Sequence, residues 1–193
     1  MSFNSLYEHF AAQNVLPLKV DEVRIYLLEK FIQDEIRFIP SSLDEDVIFG
    51  FIEQYTESKP YDTNPVRKTD IYYSNGMSFE MQRLVICKEL MHIFDASDAK
   101  VDTGDKLEQL LIELVNPPAP EDSSKSRQEE AKAIYRALSL FCSLPLREKL
   151  KAQLIKEELT IQKIGFMLRL PEAYAEYIIS DRFPPIVEKI LSA

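Results

Sequence analysis

Lys88, Glu89 and His92 stand in the order K-E-x-x-H inside the stretch from Met81 to Asp95. In the H-E-x-x-H arrangement, two imidazoles four residues apart share one helix face and grip zinc, while the glutamate between them deprotonates the metal-bound water. Here Glu89 keeps the general-base position and His92 the second-ligand position, but a lysine replaces the first imidazole. A protonated ammonium has no lone pair to give a dication, so the spacing describes a metal site with one ligand removed. Without metal, water keeps a pKa of about 15.7 rather than about 7, and Glu89 alone has little to activate. A neutral, nucleophilic lysine would be a different chemistry, but neighbouring carboxylates favour its charged form. The second histidine, His9, falls in the first predicted helix and is expected to be an ordinary surface or core residue.

The element carrying these groups must be buried. Phe79, Met81, Leu84, Val85, Ile86, Cys87, Leu90, Met91, Ile93 and Phe94 cover nearly the whole circumference of a helix over this stretch. An uncompensated charge on such a helix costs several kcal/mol, comparable to a protein's whole stability margin. Lys88, Glu89, His92 and Asp95 therefore need solvent, a pocket or a second polar helix. Glu129-Glu130, near the start of a later predicted helix, is the natural counterpart, with the choice between the two open. Lys88 could snorkel outward along its stem, or its ammonium could stand in for the cation and neutralise Glu89 and Glu130. Charge balance favours the second. Asp95 is expected to end the helix in solvent; the alternative is that it joins His92 and Glu129 or Glu130 in an oxygen-rich metal site.

The rest of the chain supplies the scaffold. Its 193 residues, 46% hydrophobic and 28% charged, with four glycines and eleven prolines, point to an α+β protein of helices interrupted at defined points. Helices are predicted over Leu6 to Ala12, Val20 to Ile32, Lys106 to Val115, Ser126 to Ser143, Leu146 to Leu159, Thr160 to Leu170, Pro171 to Ser180 and Pro184 to Leu191. The segments Phe38 to Pro40, Val47 to Tyr55 and Asp70 to Tyr73 predict a small antiparallel sheet packed on the Lys88 helix, with Ser78 as that helix's N-cap. Asn116 to Ser126, rich in Pro, Ser and acidic residues, is expected to be a mobile surface connection. A boundary near residue 145 separates residues 1–145 from a helical C-terminal region over 146–193.

From the paired elements the chain resembles the ImmA/IrrE-like gluzincin peptidases across roughly residues 47 to 180. Members carry a strand, an arginine-rich entry and the H-E-x-x-H helix, matched here by Asp70 to Tyr73, Arg83 and Lys88 to His92. A later helix gives a glutamate in a Glu-Ala context and runs through leucines to a proline, as Glu130-Ala131 and Leu138 to Pro145 do, with several extra residues between. The resemblance implies that Glu130, or Glu129, is the third-ligand equivalent. It also implies a zincin-like domain, and for active members cleavage of repressor-type regulators in prophage, mobile-element or stress circuits.

Net charge and C-terminal pattern bound the partners. A formal charge of −9 and a pI near 4.9 oppose broad nucleic-acid or anionic-membrane binding. From Leu146 onward eight Lys and Arg face seven Asp and Glu, so this stretch carries +1 against −10 for the remainder. Leu159 to Tyr174 resembles a helix-turn-helix, yet Glu172 and Glu176 early on the would-be recognition helix would repel phosphates. Cys87 and Cys142, both in apolar stretches, are expected to be reduced and structural, and no signal segment or apolar run of membrane length is evident. The resulting expectation is a cytoplasmic, noncatalytic pseudopeptidase acting as a regulatory or protein-binding module, with no cofactor. Two alternatives are a zinc metallopeptidase with an unusual ligand set and a DNA-associated transcriptional regulator.

Overall fold

The computed structural model describes residues 2–13, 15–30, 35–57, 66–95 and 125–192. The helix expected over Lys106 to Val115 lies outside them, as does the surface connection from Asn116 up to its last two residues, Lys125 and Ser126, which open a helix. The elements in chain order are α1 (Phe3–Gln13), α2 (Val20–Lys30), β1 (Glu35–Ser41), β2 (Gly50–Glu57), β3 (Val66–Ser74), α3 (Phe79–Met91), α4 (Lys125–Phe141), α5 (Leu144–Ile155), α6 (Ile161–Leu168), α7 (Glu172–Ile179) and α8 (Phe183–Leu191). The chain is α+β and mostly helical, as its composition predicts. Ser78 caps α3, its hydroxyl accepting from the Met81 N–H at 3.3 Å, and Thr160 caps α6 through the Lys163 N–H at 3.2 Å.

The sheet is mixed rather than antiparallel. Its order is β1-β3-β2: β2 runs antiparallel to β3 from Gly50↔Tyr73 to Glu57↔Val66, while β1 runs parallel to β3 from Glu35↔Lys68 to Ser41↔Ser74. Apolar, β-branched composition marks a strand without marking its direction. The connection from β1 to β3 is long because it contains β2, and a parallel pair needs a crossover of that length. On the inner face Ile36 and Ile71 are fully enclosed beside the half-buried Ile52; α3 packs on β2 and β3, and α2 on β1. Gly50 sets that approach: a Cβ there would lie 2.5 Å from Val85 Cγ1 and 2.7 Å from the Tyr72 carbonyl oxygen.

Helix α4 lies on α3 and in turn contacts α1 and α8. One buried cluster includes Leu6, Leu84, Ile134 and Phe141 together with Tyr174 and Phe183, so apolar contact is continuous across residue 145. Polar contacts cross it too. Arg147 is buried, its Nε donating to the Ile178 carbonyl and its Nη2 to those of Ile179 and Ser180, each at 2.8 Å, which satisfies the C-terminal end of α7. Near the other end of the chain, Asn4 Nδ2 donates to the Leu191 carbonyl at 2.6 Å and the Tyr7 hydroxyl accepts from the Leu144 N–H at 2.9 Å. Cys87 and Cys142 are free and buried, and burial pushes each thiol up to about 12. No helix among the described residues is long and apolar enough to cross a membrane.

Candidate functional site

Residues 84–91 of α3 are buried all round, and this includes Lys88 and Glu89. The helix does not run on to Asp95 as expected. It ends at Met91 and tightens into a 3-10 turn over His92–Phe94, with the His92 N–H bonding back to the Glu89 and Leu90 carbonyls. This tightening leaves His92 one turn beyond Lys88 and carries Asp95 round to the imidazole. Asp95 is not in solvent. Its side chain is only 3% exposed; Oδ2 lies 2.6 Å from His92 Nδ1, and Oδ1 accepts from Arg136 Nη1 at 2.8 Å. The solvated helix end fails as a description because an α4 cation is there to receive the carboxylate.

Glu130, not Glu129, faces the stripe. Glu129 pairs instead with Lys132 at 2.6 Å, whereas Glu130 is buried, with Oε2 2.5 Å from Lys88 Nζ and Oε1 3.2 Å from His92 Nε2. Lys88 does not snorkel. Its side chain is 7% exposed and Nζ also donates to Glu89 Oε1 at 2.9 Å, so the ammonium lies between two buried carboxylates. His92 Nε2 and Glu130 Oε2 have no aligned hydrogen-bond partner among the described residues, so their short contacts are held by charge rather than by directional bonding. Three cations, Lys88, His92 and Arg136, thus meet three carboxylates, Glu89, Asp95 and Glu130, in a cluster that balances if the imidazole is protonated.

Proton affinities agree with that balance. Burial alone would strip the proton from Lys88, but Glu89 and Glu130 outweigh it and raise its pKa. Burial also opposes a charged His92; the bond to Asp95, then the close Glu130 carboxylate and the charge of Glu89, overcome it and raise the pKa to about 9. For Glu130 burial works upward, and His92 and Lys88 together bring it down to about 2. Asp95 is likewise held below the usual carboxylate range by His92 and Arg136 against its burial. A histidine whose folded pKa exceeds its unfolded value stabilises the fold fully below about 6.5, and that contribution is lost as pH rises through about 9. Urea unfolding should therefore show a decline on the order of 1–2 kcal/mol across that window, discounted for relaxation of the coupled carboxylates. The slope should disappear in His92→Gln; an unchanged slope in the variant would remove His92 from the balance.

The donor set does not fit zinc. His92 and Glu130 converge, but the position of a third ligand is filled by an ammonium that its neighbours keep protonated, and two protein ligands fall short of the three a catalytic zinc requires. Among the described residues no group of three or more His, Cys, Asp and Glu is disposed to hold a metal ion. His9 lies apart and exposed, 2.8 Å from Gln13 Nε2 and packed on Tyr26. No step of hydrolysis can be drawn through Glu89, whose carboxylate is engaged by Lys88.

Compared with models of known families, with curated proteins and with solved structures, the chain has no significant match.

Arg136 is the site residue that sequence reasoning missed. A lone arginine within Tyr135-Arg136-Ala137-Leu138, on a helix expected to pack inside, was the available signal, since a guanidinium there requires an acceptor. In the C-terminal pair, α7 turns Tyr174, Ala175, Tyr177 and Ile178 inward and leaves Glu172, Ala173 and Glu176 in solvent. It contains no Lys or Arg, and the charges on its outer face are those of Glu172 and Glu176.

Proposed function

We propose that this protein is a noncatalytic regulatory module, a pseudopeptidase of the ImmA/IrrE-like type, that acts in the cytoplasm by binding a protein. The observation that carries this reading is the Lys88 ammonium between Glu89 and Glu130, where the spacing of the motif calls for a metal ligand. A fixed cation of this kind holds together the carboxylates of a hydrolytic site while denying them both metal and an activated water. What remains is a rigid helix pair whose use is recognition. The resemblance makes a transcriptional regulator the natural class of partner. The acidic outer face of α7 argues against direct reading of DNA.

Elemental analysis of protein purified without chelator tests the proposal. Well below one equivalent of zinc is expected, together with no hydrolysis of unstructured peptides. Stoichiometric zinc that survives dialysis and is lost in His92→Ala would overturn it in favour of a metallopeptidase with an unusual ligand set.

A further inference from the structure

The link between β3 and α3 carries a pair of residues with a reactivity of its own. Asn75 and Gly76 follow the last residue of β3, outside any helix or strand, and both are exposed. An asparagine side chain and the next backbone nitrogen can close a five-membered ring, and a glycine in second position leaves that nitrogen unscreened by any side chain. The Asn75 N–H is fixed to the Ser41 carbonyl at 3.0 Å, and the Asn75 carbonyl accepts from Gln82 Nε2 at 3.4 Å. Its side-chain amide makes no hydrogen bond among the described residues, which leaves it to turn toward Gly76.

The groups around Gly76 are placed to move its proton. Its N–H donates to Ser74 Oγ at 3.2 Å, and Ser74 Oγ in turn donates to Glu45 Oε1 at 2.5 Å. A hydroxyl that already leans on a carboxylate polarises the N–H it accepts from, because hydrogen bonds in a chain strengthen one another. Ser74 is buried, so bulk water does not compete for that hydroxyl. Glu45 also lies hard against the glycine: a Cβ at residue 76 would meet Glu45 Oε1 at 2.6 Å. Amide nitrogen, hydroxyl and carboxylate thus form one line, each within proton-transfer distance of the next.

We propose that Asn75 is a site of self-modification, converted to an isoaspartyl or aspartyl residue, with Ser74 relaying the Gly76 amide proton to Glu45. The deprotonated Gly76 nitrogen bonds to Asn75 Cγ, the Cγ–Nδ2 bond breaks, and Nδ2 leaves as ammonia with the proton that the relay returns. Water then opens the cyclic imide at either carbonyl, so each conversion consumes one water, releases one ammonia and involves no oxidation. Opening at the main-chain carbonyl routes the backbone through Cβ and Cγ and lengthens the link by one carbon. Either product sets a new carboxylate beside Glu45, just ahead of the Ser78 cap of α3. The site is separate from the Lys88 cluster and does not depend on how that cluster is interpreted.

The test is to hold the full chain at neutral pH and physiological temperature for several weeks and to follow, by peptide mass spectrometry, the mass gained when the Asn75 amide becomes a carboxylate. The native chain should convert at least about threefold faster than the same chain in urea, because only the fold supplies the relay. Glu45→Gln keeps an acceptor for Ser74 but takes no proton, so it should slow conversion about tenfold while fresh protein melts as the parent does. Ser74→Ala should slow it to a similar extent. Between pH 6 and pH 8 the parent's rate should change less than about threefold, where attack driven by hydroxide alone would change about a hundredfold. Converted protein, separated from fresh by chromatography, should melt at a lower temperature. An Asn75 that stays intact in the native chain, conversion slower than in urea, or a Glu45→Gln chain that converts as fast as the parent would overturn the proposal.

Discussion

Lys88→Ala should cost about 3 kcal/mol of folding stability near neutral pH, because it leaves Glu89 and Glu130 buried with their shared cation gone. The loss should depend on pH in a defined sense. In the parent, Glu130 is depressed to about 2, so its ionisation contributes stability above the unfolded value of about 4.5 that is lost as pH falls toward 2. In the variant the facing carboxylates take up a proton more readily, and that contribution is gone. The gap between parent and variant should therefore be widest near pH 7 and narrow on acidification. Lys88→Met, which keeps the volume of the side chain, should behave alike and so exclude a cavity as the cause. Urea unfolding at pH 7 and pH 4 decides; a loss below about 0.5 kcal/mol in both variants would mean that water already screens the carboxylates.

Lys88→His should do something no other single change can do. It removes the ammonium and supplies an imidazole at the first position, so that two histidines and Glu130 make the three-ligand set of a zinc site around Glu89. The variant should then gain zinc-dependent stability, about 2.7 kcal/mol when free zinc is a hundredfold above its dissociation constant, or roughly 5–10 °C in melting temperature for a chain of this size. The parent should show no such response, and adding His92→Ala to the variant should abolish it. If Lys88→His responds to zinc no more than the parent, the idea that this cluster descends in design from a metal centre fails, whatever the stability of Lys88→Ala shows.

Several features of this centre were legible in the residues themselves. The apolar circumference of α3 required that its few polar groups be partnered, and the spacing of Lys88, Glu89 and His92 placed them on one stripe. That the partner would come from Glu129-Glu130 followed from charge; that it would be Glu130 did not, because adjacent residues on a helix differ by about 100° and only packing decides which one turns inward. Asp95 and Arg136 were harder. Their pairing spans 41 positions and depends on the turn tightening after Met91, which no local preference of His92, Ile93 or Phe94 announces. Strand direction was illegible for a related reason: Phe38, Ile52 and Ile71 identify strands, but their composition does not say which neighbour each pairs with or in which direction. The helices of the C-terminal region, by contrast, carry their punctuation in Thr160, Pro171 and Pro184, and their boundaries follow it within a few residues.

The placement of β3 between β1 and β2, and of Asn4 against the Leu191 carbonyl, has a consequence for synthesis. As the chain leaves the ribosome, β1 and β2 emerge with no ladder partner, since each must wait for the strand that will separate them. The first helix waits longer still, because α4 and α5, which cover it, are made more than a hundred residues later. Apolar surface on α1 is thus uncovered for most of the synthesis of the chain, several seconds to tens of seconds at about 5–20 residues per second. Packing of α1 therefore has to follow synthesis of α4 and α5, so its folding should be a late event rather than a progressive one.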